Sequence, residues 1–342
     1  MAEQSSPKIR FGLWYDFRNP HQWRQAYDRL YAETLDQVAW AEELGFDDVW
    51  LSEHHFIPDG YSPALMPIAA AIAARTRIMR IATGVVLLPF HNPVRLAEDA
   101  ATVDIISGGR FELGVGVGYK VEEFEGFAIP TTERGGRTNE GLEIIRRLWE
   151  GETLTFKGKF YQVNRVKLTP EPIQKPRPPL WVGGFTPAAM RRVARYADGF
   201  VGPPIPLKSL YDVYVAELKK LGKPTTKLRI AGGYSWLIVS DDPEKTFAEA
   251  ADHVIYQINN YAEWFTKAGA GVAQKIRDRD HLREVGALRV LDVDGCIKAI
   301  RDYARDVPLT HYFSWTLPPG LPARWVEPHL ELFALKVIPA FR

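Results

Sequence analysis

Short apolar runs alternate with stretches of helical spacing along most of the chain. Apolar runs of roughly four to eight residues indicate strands, whereas apolar residues at every third or fourth position indicate amphipathic helices. This alternation predicts about eight strand–helix units. The predicted strands cover 8–15, 46–54, 77–88, 110–118, 179–184, 199–204, 228–240 and 310–317. The predicted helices cover 30–45, 62–76, 92–107, 137–151, 186–197 and 207–222.

Two segments interrupt the rhythm. Residues 152–179 predict a short hairpin followed by a Pro-rich excursion, and residues 242–305 predict a long helical insertion. Eight units of this kind favour an α/β fold, a (β/α)8 TIM barrel in a single domain over 1–342. The competitor is a doubly wound open sheet. A dinucleotide-binding sheet of that type requires G-x-G-x-x-G after its first strand, and residues 11–20 carry no such motif.

Charge and cysteine content narrow the choice of partners. The 43 Lys and Arg residues nearly balance the 42 Asp and Glu residues, so we expect neither nucleic acid nor an anionic membrane as a partner. The single cysteine, Cys296, excludes an intrachain disulfide and fits a reducing compartment. Because the first ten residues lack the pattern of a secretory signal, we expect a soluble, cytoplasmic protein.

Glu53, His54 and His55 end the second predicted strand. Burying a carboxylate and two imidazoles is costly unless something there uses them, and the working groups of a barrel lie at the C-terminal ends of its strands. A hydrogen-bonded structural role is the alternative. Adjacent residues of a strand point to opposite faces, and neither H-x-H nor H-E-x-x-H occurs elsewhere, so we predict no metal site.

Glycines accumulate at three other strand ends. Gly84 interrupts the third strand, and Gly114 and Gly116 leave one face of the fourth strand without side chains. Gly183 and Gly184 form a turn before the next helix, where backbone N–H groups are suited to an anion. Together these features suit a flat, phosphorylated aromatic cofactor, although tight packing alone would also explain the glycines.

Three long motifs carry a resemblance to a known family. They are GFDDVWLSEHHF at 45–56, the segment 83–118 from TGVV to GVGVG, and PLWVGGFTPAAMRRVARYADGF at 179–200. Over roughly 8–205 the sequence strongly resembles the luciferase-like flavin monooxygenases. That family includes bacterial luciferase, alkanesulfonate monooxygenase and the deazaflavin (F420)-dependent oxidoreductases. Beyond about residue 240 the resemblance thins out.

The resemblance implies roles for individual residues. His54 matches the family's catalytic histidine near the reactive edge of the flavin, and Glu53 matches the acidic residue beside it. Gly84 and Val85 match a non-prolyl cis peptide that supports the isoalloxazine ring. The backbone that binds the cofactor phosphate corresponds to Gly183, Gly184, Phe185 and Thr186.

The fourth strand end departs from luciferase itself. Gly116 and Val117, which with Gly114 we expect on the cofactor side, stand where the luciferase chain carries a reactive cysteine and a flavin-contacting arginine. These departures argue against light emission but leave the fold and the flavin site standing.

The resemblance predicts a monooxygenase that takes reduced FMN (FMNH2) from a separate flavin reductase and uses O2 to oxygenate a small organic substrate. Histidine exchanges protons near neutral pH, so His54 is the expected acid–base group. Aromatic residues expected in the substrate pocket are Phe56, Phe90, Tyr119 and Trp236.

Two alternatives stay open: an F420-dependent hydride-transfer oxidoreductase, and a non-catalytic flavin-binding partner subunit. The apolar helix at 254–269 is expected to close the pocket, to meet a second subunit or simply to belong to the core. By resemblance we expect a homodimer.

Overall fold

A computed structural model describes residues 8–269 and 274–342 of the protein. At its centre lies a closed barrel of eight parallel strands. The barrel strands follow the order β3-β2-β1-β13-β10-β9-β8-β5, and pairing of β3 with β5 closes the ring. The strands are β1 (Arg10–Tyr15), β2 (Asp48–Leu51), β3 (Arg80–Thr83), β4 (Val86–Leu87), β5 (Phe111–Gly116), β6 (Leu154–Lys157), β7 (Gln162–Val166), β8 (Leu180–Gly183), β9 (Gly199–Val201), β10 (Arg229–Gly232), β11 (Trp236–Val239), β12 (Leu288–Leu291) and β13 (His311–Trp315).

Helices follow most of the barrel strands and bury their apolar faces against them. They are α1 (Tyr27–Leu44), α2 (Leu65–Arg75), α3 (Pro93–Ile106), α4 (Val121–Gly126), α5 (Arg134–Trp149), α6 (Pro187–Tyr196), α7 (Lys208–Lys220), α8 (Pro243–Lys267), α9 (Arg279–Val285), α10 (Val293–Ala304) and α11 (Ala323–Leu332). Continuously buried strands such as β2, β5 and β8 are covered on both faces, which is why they read as unbroken apolar runs. The predicted (β/α)8 fold is therefore confirmed.

Two predicted elements were wrong in detail. The strand expected at 228–240 is two strands, because the chain leaves the barrel after β10, and β11 pairs with β12 in a separate two-stranded sheet. A Cβ at Gly233 would lie 2.0 Å from the Phe313 carbonyl oxygen, so only glycine allows the backbone to pass β13 at this point. The region expected to be helical over 242–305 accordingly contains the strand β12 between α9 and α10.

Charged residues close the N-terminal end of the barrel. The indoles of Trp50 and Trp181 donate to the carboxylates of Asp48 and Glu112, each at 2.6 Å. Arg80 pairs with Glu112 on the same layer. Because most of these buried groups are paired with one another, this end is packed structure, and the C-terminal end is where the active sites of such barrels lie.

The hairpin predicted within 152–179 is present as the antiparallel pair β6–β7. Among the helices of residues 8–269 and 274–342, none combines the length and the apolar character that crossing a bilayer requires.

Candidate active site

His54 lies just beyond β2, at the C-terminal end of the barrel, with only 5% of its surface exposed. Its Nδ1 is 2.8 Å from Glu123 Oε1, and its Nε2 is 3.2 Å from the Tyr119 hydroxyl. A carboxylate can only accept, so Nδ1–H donates to Glu123, and Nε2 of the neutral ring accepts from Tyr119. The imidazole thus sits in a chain of three groups that can hold and pass a proton.

Glu123 is a buried carboxylate that binds both histidines, His54 and His55. It lies in the first turn of α4, is fully buried, and also accepts the backbone N–H of His55 at 2.8 Å through the same oxygen. The second oxygen, Oε2, is buried without a hydrogen-bond partner among the described residues. Sequence reasoning missed Glu123, although it stands in a run of acidic residues directly after the glycine-rich strand end.

Glu53 faces a different set of groups from His54. Its carboxylate accepts from His55 Nε2 at 2.9 Å, from His91 Nε2 at 3.0 Å and from the Leu87 backbone N–H at 3.3 Å. Burial acts to raise the pKa of Glu53, but the two imidazole hydrogen bonds outweigh it and lower that pKa. For His91, burial acts to lower the pKa, and the bond to Glu53 raises it overall. Glu53 therefore fixes the segment after β3, whereas Glu123 fixes His54.

The same three residues form the one metal-like cluster found among the described residues. One ligand atom from each of Glu53, His55 and His91 lies within 4.8 Å of the others. Here the imidazole N–H groups donate to the carboxylate, which satisfies the cluster without an ion. His91 was not singled out from the sequence, because it approaches only through the fold. That the site holds no metal stays a prediction.

The peptide bond between Gly84 and Val85 is cis, at the position where the resemblance implies one. At the neighbouring glycines, a side chain would collide with other atoms of the protein. A Cβ at Gly116 would lie 2.7 Å from Val85 Cγ2, and one at Gly183 would lie 2.9 Å from Val85 Cγ1. A Cβ at Gly114 would lie 2.0 Å from the Thr83 carbonyl oxygen. Packing therefore accounts for these glycines, and contact with a cofactor stays a prediction for them and for Val117.

The turn after β8 has the geometry expected of an anion-binding corner. Gly184 has a φ of +149°, and Thr186 is the N-cap of α6, where its hydroxyl accepts the Ala189 N–H at 3.3 Å. The Phe185 ring lies 5.6 Å from that of Phe265 on α8. Backbone N–H groups at the start of a helix suit a phosphate, and binding of a cofactor phosphate at this turn stays a prediction.

The four predicted pocket residues occupy different places. Tyr119 contacts His54 and stacks on Phe265 with ring centroids 4.4 Å apart. Phe56 and Phe90 pack with Phe127 on the His55 side, and Phe56 is 59% exposed. Trp236 is fully buried beneath α8, where its indole donates to Gln257 at 2.9 Å. Of the four, Tyr119 is the residue that the structure brings to His54.

Helix α8 covers the mouth of the barrel. Tyr261 and Trp264 bring their rings to 5.9 and 5.0 Å from the His54 ring, and Tyr61 approaches from another side at 4.8 Å. The apolar excess at 254–269 therefore serves to close the site, which was one of the roles considered for it. Sequence reasoning named none of these three rings, because the spacing of a helix does not show what the helix covers.

A cavity of about 620 Å³ lies beside the C-terminal ends of β9 and β10. Leu207, Tyr234, Ile258, Arg289 and Tyr303 are among the residues that line it. Its lining includes neither His54 nor the turn at Gly183–Thr186. The polar groups converge at His54, which is therefore the candidate active site, and the cavity is a separate feature.

Known proteins share both the sequence pattern and the fold. The family model described as luciferase-like monooxygenase matches residues 9–299. The monooxygenase RslO1 from Streptomyces bottropensis has a TM-score of 0.83 and 27% identity, with 98% of this chain and 100% of that chain covered.

Two partial relatives carry different cofactor names. The oxygenase component of flavin-dependent trigonelline monooxygenase from Acinetobacter baylyi is 32% identical over 181 residues, which is 52% of this chain and 50% of that protein. The F420-dependent glucose-6-phosphate dehydrogenase of Microbacterium testaceum is 37% identical over 175 residues, 49% of this chain and 52% of that protein. The chain thus spans about half the length of these two relatives. Because the family model covers most of its residues, the chain belongs to the luciferase-like monooxygenase family of oxidoreductases.

Proposed function

We propose that this protein is the oxygenating component of a two-component monooxygenase, which binds reduced FMN from a separate reductase and oxygenates a small organic substrate with O2. The observation that carries the proposal is His54, held between Glu123 and Tyr119 at the barrel mouth. A relative named as a flavin-dependent oxygenase component supports the separate reductase. We further propose that the protein is cytoplasmic, that it forms a homodimer and that it consists of a single domain.

The residues at the mouth fit a phosphorylated flavin in two respects. The turn from Gly183 to Thr186 offers backbone N–H groups and a helix start for the phosphate. Buried polar atoms without partners among the described residues, Trp14 Nε1 and Glu123 Oε2, remain for a ligand to satisfy. The Phe265 ring stacks on that of Tyr119 and lies 5.6 Å from that of Phe185, so it connects the surroundings of His54 with this turn.

Bound reduced FMN would supply the electrons with which one atom of O2 enters the substrate and the other leaves as water. The protein would contribute orientation, exclusion of water and control of protons. His54 Nε2 would accept a proton and return it, while Glu123 stabilises the protonated ring. Burial raises the pKa of Tyr119 well above its ordinary value, so its hydroxyl stays a neutral donor to His54.

An F420-dependent hydride transfer is the second candidate, and the F420-dependent relative supports it. The His54–Glu123 pair suits either reaction, since both need an acid–base group beside the cofactor ring. A non-catalytic partner subunit is a weaker proposal, because the full hydrogen-bond arrangement around His54 is present.

Anaerobic titration of the full chain with reduced FMN and with reduced F420 separates the first two candidates. We expect the proposed enzyme to bind reduced FMN and then to consume O2 in a stopped-flow oxygen pulse. Binding of F420 with no binding of FMN would contradict the proposal.

His54→Ala tests the catalytic role, with His21→Ala, at an exposed histidine in the turn His21–Trp23, as the matched control. Turnover with reduced FMN should fall about 100-fold or more in the first variant, because general acid–base catalysis contributes roughly 10²–10⁴-fold. It should be unchanged in the second.

A further inference from the structure

Arg18 is a buried arginine whose outer nitrogen atoms have no hydrogen-bond partner among the residues that the structure describes. Its side chain has no exposed surface, and its Nε donates to Asp59 Oδ2 at 2.7 Å. Nη1 and Nη2 form no hydrogen bond with the residues that the structure describes. A guanidinium carries five N–H donors in a planar fork. Four of these five, on Nη1 and Nη2, therefore lack an acceptor among the described residues.

Arg110 shows how a structural arginine behaves in the same fold. Its three nitrogen atoms donate to carbonyl and hydroxyl oxygens of Ala73, Thr76, Met79 and Ser107. Each nitrogen of Arg110 is thus satisfied, although the side chain is less deeply buried than that of Arg18. Packing alone therefore does not explain the open fork of Arg18.

The surroundings of Arg18 are flat and aromatic. The guanidinium carbon lies 5.4 Å from the ring centre of Tyr61, 5.2 Å from that of Tyr256 and 5.6 Å from that of Trp264. Tyr61 and Trp264 are also ring neighbours of His54. A molecule held at Arg18 would consequently lie against the same two rings that contact the acid–base group.

Two carboxyl groups near Arg18 set the charge balance. Asp59 neutralises the guanidinium, and its Oδ2 also accepts the Tyr256 hydroxyl at 2.9 Å. Asp16 accepts from Gln257 at 3.0 Å, and burial raises its pKa to about 6. Asp16 is therefore easier to protonate than an exposed carboxyl, and a ligand anion at the fork would favour its protonation further.

We propose that Arg18 binds the carboxylate of the substrate, and that the substrate is a carboxylic acid whose planar part lies among Tyr61, Tyr256 and Trp264. A carboxylate matches the planar fork with two parallel hydrogen bonds, which a neutral amide does not reproduce. The inference rests on the proposed function, because it takes the surroundings of His54 as the place of reaction.

Binding to the flavin-free full chain tests the inference without turnover. The probes are four acids, each matched with its amide: acetate, benzoate, nicotinate and 2-naphthoate, followed by tryptophan fluorescence or calorimetry. We expect at least one acid to bind 10-fold or more tightly than its amide. The variant Arg18→Gln should lose that preference, and Arg24→Gln, which removes an exposed arginine near the same loop, should keep it.

The outcomes are separable. No preference for any acid in the wild-type protein would overturn the inference, as would an unchanged preference in a folded Arg18→Gln. If Arg18→Gln does not fold, Arg18→Lys decides, since it keeps the charge but loses the fork. Its preference should fall at least 5-fold, and an undiminished preference would refute the role. If the protein does not use FMN, this binding result still stands, because the assay contains no cofactor.

Discussion

Gly116→Ala distinguishes the two explanations of the glycine-rich strand end. A Cβ at this position would lie 2.7 Å from Val85 Cγ2, whereas carbon atoms in contact prefer roughly 3.5–4.0 Å. The shortfall of about 1 Å cannot be absorbed by a simple rotation, because a β-branched side chain is stiff at χ1. Either Val85 or the backbone of β5 must shift.

The expected loss of stability follows from this contact. Overpacking of a buried site typically costs about 1–3 kcal/mol, and we expect Gly116→Ala to fall in that range. Val85→Ala alone removes two carbon atoms from a half-buried side chain and should cost about 1 kcal/mol. The double variant should be about as stable as Val85→Ala, because the second change removes the atoms that clash.

Urea unfolding of the four proteins measures this coupling directly, provided the dependence on denaturant concentration is unchanged. Gly135→Ala on α5 is the matched control, since its Cβ would meet its nearest neighbour, Arg192 Nη2, only at 3.4 Å. It should be neutral or stabilising by up to about 1 kcal/mol. A Gly116→Ala protein of wild-type stability with weakened FMN binding would refute the packing argument and favour a direct cofactor contact.

Three further outcomes are expected. Glu123→Gln removes the charge behind His54 and should lower turnover about 10- to 100-fold, since a charged hydrogen bond contributes about 1.5–3 kcal/mol. Its exposed neighbour in α4, changed as Glu125→Gln, should leave steady-state rates unaltered. Burial raises the pKa of Asp48 from 3.8 to about 7, so the folded state keeps a proton that the unfolded chain releases. Stability should therefore fall by up to about 1.4 kcal/mol per pH unit as pH rises between these values, and unfolding of Asp48→Asn should show a flatter profile. Thr186→Ala should cost about 1 kcal/mol through loss of the helix cap. It should also weaken FMN more than riboflavin in fluorescence titrations, and equal weakening of both would contradict a phosphate role for the turn.

The barrel was predictable because its strands are unbroken apolar runs at regular spacing, and because polar residues follow them at their C-terminal ends. His54 was therefore placed correctly at the mouth. The strand β12 was not predictable, because Leu288–Leu291 is short and lies between two helices. It is a strand only because it pairs with β11.

The partners of the site residues could not be read from the chain. Glu123 approaches His54 across 69 positions, and Asp59 approaches Arg18 across 41. Acidic residues are common on exposed helix faces, and nothing in the local spacing marks these two as buried. Glu53 stood beside His54 in the sequence but turns toward His55 and His91, because neighbouring side chains at a strand end diverge.

The departure of the chain from the barrel at Gly233 separates two tasks within the protein. The chain before that residue supplies His54, Glu123 and the turn Gly183–Thr186, whereas the excursion from β11 to α10 returns to the barrel at β13. Three rings of that excursion cover the candidate site: Tyr261 and Trp264 lie against His54, and Tyr256 lies against Arg18. Exchange of this one excursion between relatives would therefore alter which molecules are admitted while the reaction machinery stays in place.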